Sequence, residues 1–201
     1  GGGGGGAPEP DPATESMGGT IRLGRLWGDR GAREKRGPPI RDAASLVPQQ
    51  VNEADTAFEV DAQFEDTATS PSQGVSAAEA LLNAGYPMIC GALSSEVTLQ
   101  VAQSVAAPNQ VPQVSPASTS PRLTSLEDGD YLFRTAAPDT IQGRVLARIA
   151  AGRLEASSAS VLALNNAYGN GLSQGFANAF ESEHDGTVTA QVSFSTGQSS
   201  Y

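Results

Sequence analysis

The sequence has one cysteine, one histidine and no long apolar run. A single cysteine excludes an internal disulfide and any zinc site built from several cysteines. Cys90 lies in the apolar run PMICGAL, which favours a buried, inert thiol. No segment approaches the roughly 18 apolar residues of a membrane-spanning helix. The chain is nevertheless long enough to bury a substantial apolar core, and we expect its fold to depend on that core.

Basic residues are also scarce. The chain has 12 Lys and Arg against 22 Asp and Glu, a formal net charge of −10. Binding a phosphate backbone requires clustered Lys and Arg, so we expect no nucleic-acid partner. The acidic excess is typical of a well-solvated surface, and adaptation to high salt is the second interpretation.

Residues 1–18, GGGGGGAPEPDPATESMG, consist mainly of glycine, proline and acidic residues. Such a composition cannot bury a core, and we predict a flexible tether. The chain begins with glycine rather than methionine, from which we expect a processed or truncated protein.

Strand-like and helix-like segments alternate after the tether. The segment FEVDAQFE alternates apolar and polar residues, as a half-buried strand does. Other predicted strands are TIRLG, PMICG, VPQV, YLFR, SVLAL and TVTAQVSF. This order predicts an α/β fold in which helices flank a mostly parallel sheet on both faces.

The helices between these strands carry recognisable start signals and apolar faces. One starts with Ser70 as N-cap and Pro71 at its first position, and it stops at Gly85. An earlier helix contains Pro48, which should kink or strain it. The apolar faces predicted for two of the helices are Ile40, Ala44, Val47 and Val51 in the first, and Val97, Val101 and Val105 in the third.

Two hydroxyl-rich segments follow neighbouring strands. GALSS follows PMIC and opens a helix with Ser94 and Ser95, and VSPASTSP ends a strand with Ser115, Ser118 and Thr119. Ligands of open α/β sheets bind at the carboxyl ends of the strands. The first N–H groups of a helix attract a carboxylate, although a serine there can also simply cap the helix. We therefore predict that the two loops lie side by side and bind a small polar ligand.

The ordered series GALSSEVTLQVA, VPQVSPASTSPRLT, YLFRTAAPDTIQG and NNAYGNGL resembles the type I periplasmic solute-binding proteins of ABC transporters. The similarity covers about residues 20–201 and is greatest to the leucine/isoleucine/valine-binding branch. The resemblance implies two α/β lobes joined by a hinge, with an amino acid closed between them. It implies a first lobe over residues 19–137 and the start of a second over residues 138–201. It implies no enzymatic activity and no cofactor.

The resemblance also implies where the ligand binds. A Ser of the GALSS position and the Ala and Thr of the SPAST position contact the ligand's α-carboxylate and α-ammonium in the first lobe, and an aromatic residue contributes from the second. The ligand-binding residues expected here are Ser94, Ser95, Ala117, Ser118, Thr119 and Tyr168, with Trp27 as a further possibility. Alternatively, Tyr168 simply packs at the start of a helix without contacting the ligand.

Two features depart from the family pattern. The loop GRLWGDRGAREKRG replaces an apolar, proline-containing loop, so Trp27 has two open interpretations: it packs over the ligand side chain or it covers the hinge. The loop's basic residues are predicted to form a solvated segment: Arg25, Arg30, Arg33, Lys35 and Arg36. The chain also stops about halfway through a family member, and we expect the acidic residue that pairs with a ligand ammonium to be missing.

The family implies the partners and location of the protein. We expect a membrane permease of an ABC importer as partner, a monomeric protein, an extracytoplasmic location and a lipid anchor preceding the tether. A receptor whose ligand-binding domain has the same fold is an open alternative.

Enzymatic alternatives depend on weaker patterns. Gly169, Gly171 and Gly175 space as GxGxxxG after a strand, which differs from the dinucleotide-binding fingerprint. The only histidine, His184, lies in the charged turn ESEHDG, where we expect solvation rather than a Ser-His-Asp triad. Glu65 and Asp66 end a strand, and a turn explains them better than metal or acid/base chemistry.

Overall fold

A computed structural model describes residues 19–31, 35, 37–54 and 57–196 of the chain. The predicted tether, Arg33 and Arg36 lie outside the described residues. None of the helices in the described part is long and apolar enough to cross a membrane.

The first sheet has five parallel strands in the order β2-β1-β3-β4-β5. Their bounds are β1 Gly19–Trp27, β2 Phe58–Asp66, β3 Ile89–Gly91, β4 Gln113–Ser115 and β5 Leu132–Arg134. The helices that connect them are α1 Gly37–Glu53, α2 Pro71–Asn83 and α3 Ser95–Val101, which continues as a π-helix over Ala102–Ala106. A short 3-10 turn, Pro121–Leu123, lies between β4 and β5. The predicted α/β fold with a parallel sheet is confirmed.

The second sheet consists of two parallel strands, β6 Ser158–Leu164 and β7 Thr187–Phe194. Helix α5 Ala167–His184 packs on it, and α4 Asp139–Gly152 packs against α5. Phe180 is fully buried in this second core and stacks on Phe176 with 5.3 Å between ring centroids. The chain passes from the first sheet to the second between β5 and α4.

The core of the first sheet lies between its strands and the pair α2 and α3. The predicted face of the third helix is confirmed, because Val97, Val101 and Val105 are at most 1% exposed. They pack with Leu26 of β1 and Leu81 of α2. The start of α2 is as predicted, with Ser70 at the N-cap and a proline in the first turn.

On the opposite face of the sheet the structure differs from two predictions, the buried apolar face of α1 and the loop position of Arg25. Val47 is 60% exposed, so the apolar face predicted for α1 is not a buried one. Pro48 lies inside a continuous helix. Strand β1 extends through Trp27, so Arg25 belongs to the strand rather than to a solvated loop. Its guanidinium donates to Ser45 Oγ (3.0 Å) and to the Ala62 carbonyl (3.2 Å), and the residue is only 9% exposed.

Candidate functional site

The hydroxyl-rich loops lie next to each other because their strands do. β3 and β4 pair in parallel, with Ile89 opposite Gln113 and Cys90 opposite Val114. Their carboxyl ends therefore meet at one edge of the sheet, where the segments 92–95 and 116–120 begin. The structure thus brings together the serines that start α3 and the predicted SPAST residues.

Ser95 joins these two loops. It is the first residue of α3 and is 2% exposed, and its Oγ accepts hydrogen bonds from the backbone N–H groups of Thr119 and Ser120, both at 3.2 Å. Ser94 occupies the N-cap position, but its side chain makes no capping hydrogen bond. Only one of the two serines therefore has a defined bonding role in holding the loops together.

Ser118 and Ser115 bond within the loop system. Ser118 is fully buried, and its Oγ lies 2.8 Å from Thr98 Oγ1. Ser115 Oγ donates to the Ala92 carbonyl at 2.7 Å and accepts from the Ser118 N–H at 3.0 Å. These bonds give the serines of VSPASTSP a structural role, since their hydroxyls pair with backbone N–H and carbonyl groups of the two loops.

Thr119 is half-buried and bonds to Asp139, the first residue of α4. Its Oγ1 donates to Asp139 Oδ2 at 2.8 Å, and the Asp139 N–H donates to the Thr119 carbonyl at 2.8 Å. Asp139 is fully buried, and its Oδ1 has no hydrogen-bond partner among the described residues. Burial raises the pKa of Asp139, while the Thr119 bond and the charge of Arg134 oppose that rise.

Sequence patterns do not single out Asp139. An acidic residue in the first turn of a helix is common because it complements the helix dipole, so PDTIQG gave no reason to single it out. The Thr119–Asp139 bond joins residues 20 positions apart.

Tyr168 and Trp27 belong to other elements than the two hydroxyl-rich loops. Tyr168 is 36% exposed in the first turn of α5. That turn packs against the 3-10 turn after Ser120, since a Cβ on Gly171 would approach Pro121 Cδ to 2.6 Å. Trp27 is 2% exposed at the end of β1, which makes it an interior residue of the first sheet. Ala117 is half-buried in the loop between Ser115 and Ser118.

Three helix N-termini converge on segment 117–121. α3 contributes Ser95, α4 contributes Asp139, and α5 packs its first turn against Pro121. Leu99, Leu123 and Ala167 form the apolar cluster that holds α3, the 3-10 turn and α5 together. Helix N-termini carry partial positive charge, so this edge favours an anionic group such as a carboxylate.

The residues behind the enzymatic alternatives have structural roles. Cβ atoms on Gly169 and Gly171 would collide with Leu164 and Pro121, so these glycines permit close packing. Within the described residues no group of His, Cys, Asp and Glu could hold a metal ion. Asp66 accepts from Arg30 Nε and from the backbone N–H groups of Asp29 and Ala68. Burial alone would raise the pKa of Asp66, but these bonds hold it below its usual value.

A sequence model of the periplasmic binding proteins matches residues 20–201. The chain belongs to this family. Its relatives include Leu/Ile/Val-binding protein homolog 3 of Brucella melitensis, 30% identical over 142 residues that make up 70% of this chain and 38% of that protein. They also include the leucine-, isoleucine-, valine-, threonine- and alanine-binding protein of Pseudomonas aeruginosa, 27% identical over 76% of this chain and 41% of that protein.

Solved structures agree with this assignment. The leucine-binding protein LivK of Thermotoga maritima superposes with a TM-score of 0.80 and 25% identity, over 90% of this chain and 50% of that one. LivJ of Streptococcus pneumoniae, solved with isoleucine, superposes with a TM-score of 0.76 at 23% identity and shows the same fold. The chain spans about two fifths to a half of the length of these proteins. Together the comparisons confirm the prediction of a type I periplasmic binding protein of the branched-chain amino acid branch. The members of this family are substrate-binding proteins rather than enzymes.

Proposed function

We propose that this periplasmic binding protein binds the α-amino acid core of a branched-chain amino acid at segments 94–95 and 117–119. The polarity of the site supports the proposal. Ser95 Oγ accepts two N–H bonds, which leaves its own O–H to donate to a ligand carboxylate. Thr119 donates its hydrogen to Asp139, which leaves the Oγ1 lone pairs to accept from a ligand ammonium.

The observation that carries the proposal is the Thr119–Asp139 bond at the edge where three helix N-termini meet. A carboxylate acceptor fixes the direction of the threonine hydroxyl, and a charge-assisted bond holds that direction more strongly than a neutral one. Asp139 is enclosed, so its role is to orient Thr119. A donor and an acceptor arranged in this way are complementary to a zwitterion. Ala117 would add its carbonyl as a second acceptor, and Tyr168 an aromatic contact from α5.

The native role we propose is the solute-binding component of an ABC importer, located outside the cytoplasm and delivering its ligand to a membrane permease. The names of similar proteins support this assignment: the relatives are named for leucine, isoleucine and valine binding, and a Desulfitobacterium hafniense protein of the same fold, solved with leucine, is named an ABC transporter substrate-binding protein. A lipid anchor and a monomeric state remain predictions from the family.

NMR titration of the 201-residue chain with leucine, isoleucine, valine, glutamate and lysine tests the proposal and detects affinities into the millimolar range. We expect the branched-chain amino acids to shift the amide signals of residues 95 and 117–120. Thr119→Val should weaken binding by tens-fold, because a hydrogen bond to a charged group contributes about 1.5–3 kcal/mol. The control is Thr140→Val, which changes an exposed threonine beside Asp139. Folded protein whose signals stay unmoved by all five amino acids would refute the proposal.

A further inference from the structure

Arg134, at the end of β5, holds the far side of the Thr119 loop. Its Nη1 donates to the Ser120 carbonyl at 2.8 Å, and its Nη2 donates to Thr124 Oγ1. The guanidinium therefore joins the residue before the 3-10 turn to the residue after it. Since the Ser120 N–H already bonds to Ser95 Oγ, the peptide groups that flank Ser120 are held from two elements, α3 and β5.

The charge of Arg134 also acts on Asp139 through space. Its positive charge lowers the pKa of Asp139 against the effect of burial, and the charge of Asp139 in turn opposes the lowering of the Arg134 pKa by burial. The carboxyl accepts a hydrogen bond from the neutral Thr119 hydroxyl, and α5 packs at Gly175 against the main chain of Asp139. Among the residues that the structure describes, Arg134 is the charged group that acts on the Asp139 carboxyl.

We propose that Arg134 is a positioning residue of the amino-acid site, which acts by fixing the Ser120 peptide and by directing the Thr119 hydroxyl towards Asp139. Its consequence for ligand binding rests on the function proposed above. An ionised Asp139 can only accept, so Thr119 must donate to it and keeps its lone pairs for a ligand ammonium. A protonated Asp139 can donate to Thr119 instead, which uses the lone pair that the ligand needs. The cation at position 134 therefore favours the hydroxyl orientation that binds a zwitterion.

The experiment compares Arg134→Gln and Arg134→Lys with the wild-type chain, and Arg122→Gln serves as matched control. Arg122 is an exposed arginine of the 3-10 turn, and its side chain takes no part in the site. The first readout needs no ligand: carbon-13 NMR follows the titration of the Asp139 carboxyl, and hydrogen exchange follows the amides of Thr119 and Ser120. The second readout is leucine affinity measured from pH 5 to pH 8.

We expect Arg134→Gln to raise the pKa of Asp139 above its wild-type value and to speed exchange at both amides. Leucine affinity at pH 7 should fall about tenfold, the effect of losing one net hydrogen bond together with its charge. The rise of leucine affinity with pH should occur at higher pH in Arg134→Gln than in the wild type, because Asp139 ionises at higher pH there. Arg134→Lys keeps the charge but cannot span Ser120 and Thr124, so the Asp139 titration should stay near wild type while exchange quickens. Arg122→Gln should match the wild type in every readout.

An Asp139 titration that is the same in Arg134→Gln and Arg122→Gln would overturn the proposal. If the glutamine variant does not fold, the lysine variant decides: unchanged amide exchange there overturns the positioning role, and faster exchange with an unchanged Asp139 titration supports it. If the wild-type chain binds no leucine, the proposed function fails, while the ligand-free readouts still decide the role of Arg134.

Discussion

Replacing Ser95 with alanine should destabilise the protein far more than the same change at its neighbour, Ser94. Ser95 Oγ accepts the N–H groups of Thr119 and Ser120 at 3.2 Å each, in a residue that is 2% exposed. Alanine leaves both donors without a partner, and each buried unsatisfied group costs about 1–3 kcal/mol. Both bonds are long and Thr119 is only half-buried, so we expect about 1–1.5 kcal/mol for each. Alanine's higher helix propensity returns about 0.5 kcal/mol, for a net loss of about 2 kcal/mol.

Urea unfolding at fixed pH and ionic strength, followed by circular dichroism, measures this difference. Ser94→Ala is the control, since the Ser94 side chain makes no capping bond and its loss should cost less than about 0.5 kcal/mol. Ser95→Thr keeps the hydroxyl and should recover most of the loss. Equal unfolding free energies for Ser95→Ala and Ser94→Ala would show that the Ser95 hydroxyl does not join the two loops.

Two further predictions concern α4. The pKa of Asp139 is raised in the folded protein, so its contribution to stability is greatest below the ordinary carboxyl pKa of about 3.9 and is lost as pH rises through the folded value. Thermal melts from pH 4 to pH 7 should therefore show Asp139→Asn gaining stability relative to the wild type as pH rises, and a constant difference would contradict this reasoning. A Cβ on Gly143 would lie 2.5 Å from the Gly175 carbonyl carbon, whereas nothing lies within 4 Å of one on Gly152. Gly143→Ala should lower the melting temperature and Gly152→Ala should not, and equal effects would exclude close α4–α5 packing.

The sequence by itself determined the elements and the sheet edge at which the candidate site lies. Period-2 alternation predicted β2, Ser70 and Pro71 predicted the start of α2, and the strand–helix order predicted a parallel sheet. These features follow from local backbone preferences and from the rule that strand ends meet at one edge, so residues close in sequence specify them. For the same reason the juxtaposition of segments 94–95 and 117–119 could be predicted without coordinates.

Tertiary structure alone decided what the side chains do at that edge. Thr119 bonds to Asp139 and Ser95 bonds to the Thr119 backbone, across 20 and 24 positions of sequence. Arg25 is buried because β1 continues past its predicted end and because α1 and β2 supply hydrogen-bond acceptors for its guanidinium. A hydrogen bond forms only when the donor–acceptor distance is right to within a few tenths of an ångström. Those distances are set by strand register and by helix packing over the whole domain, and a local pattern of residues does not contain them.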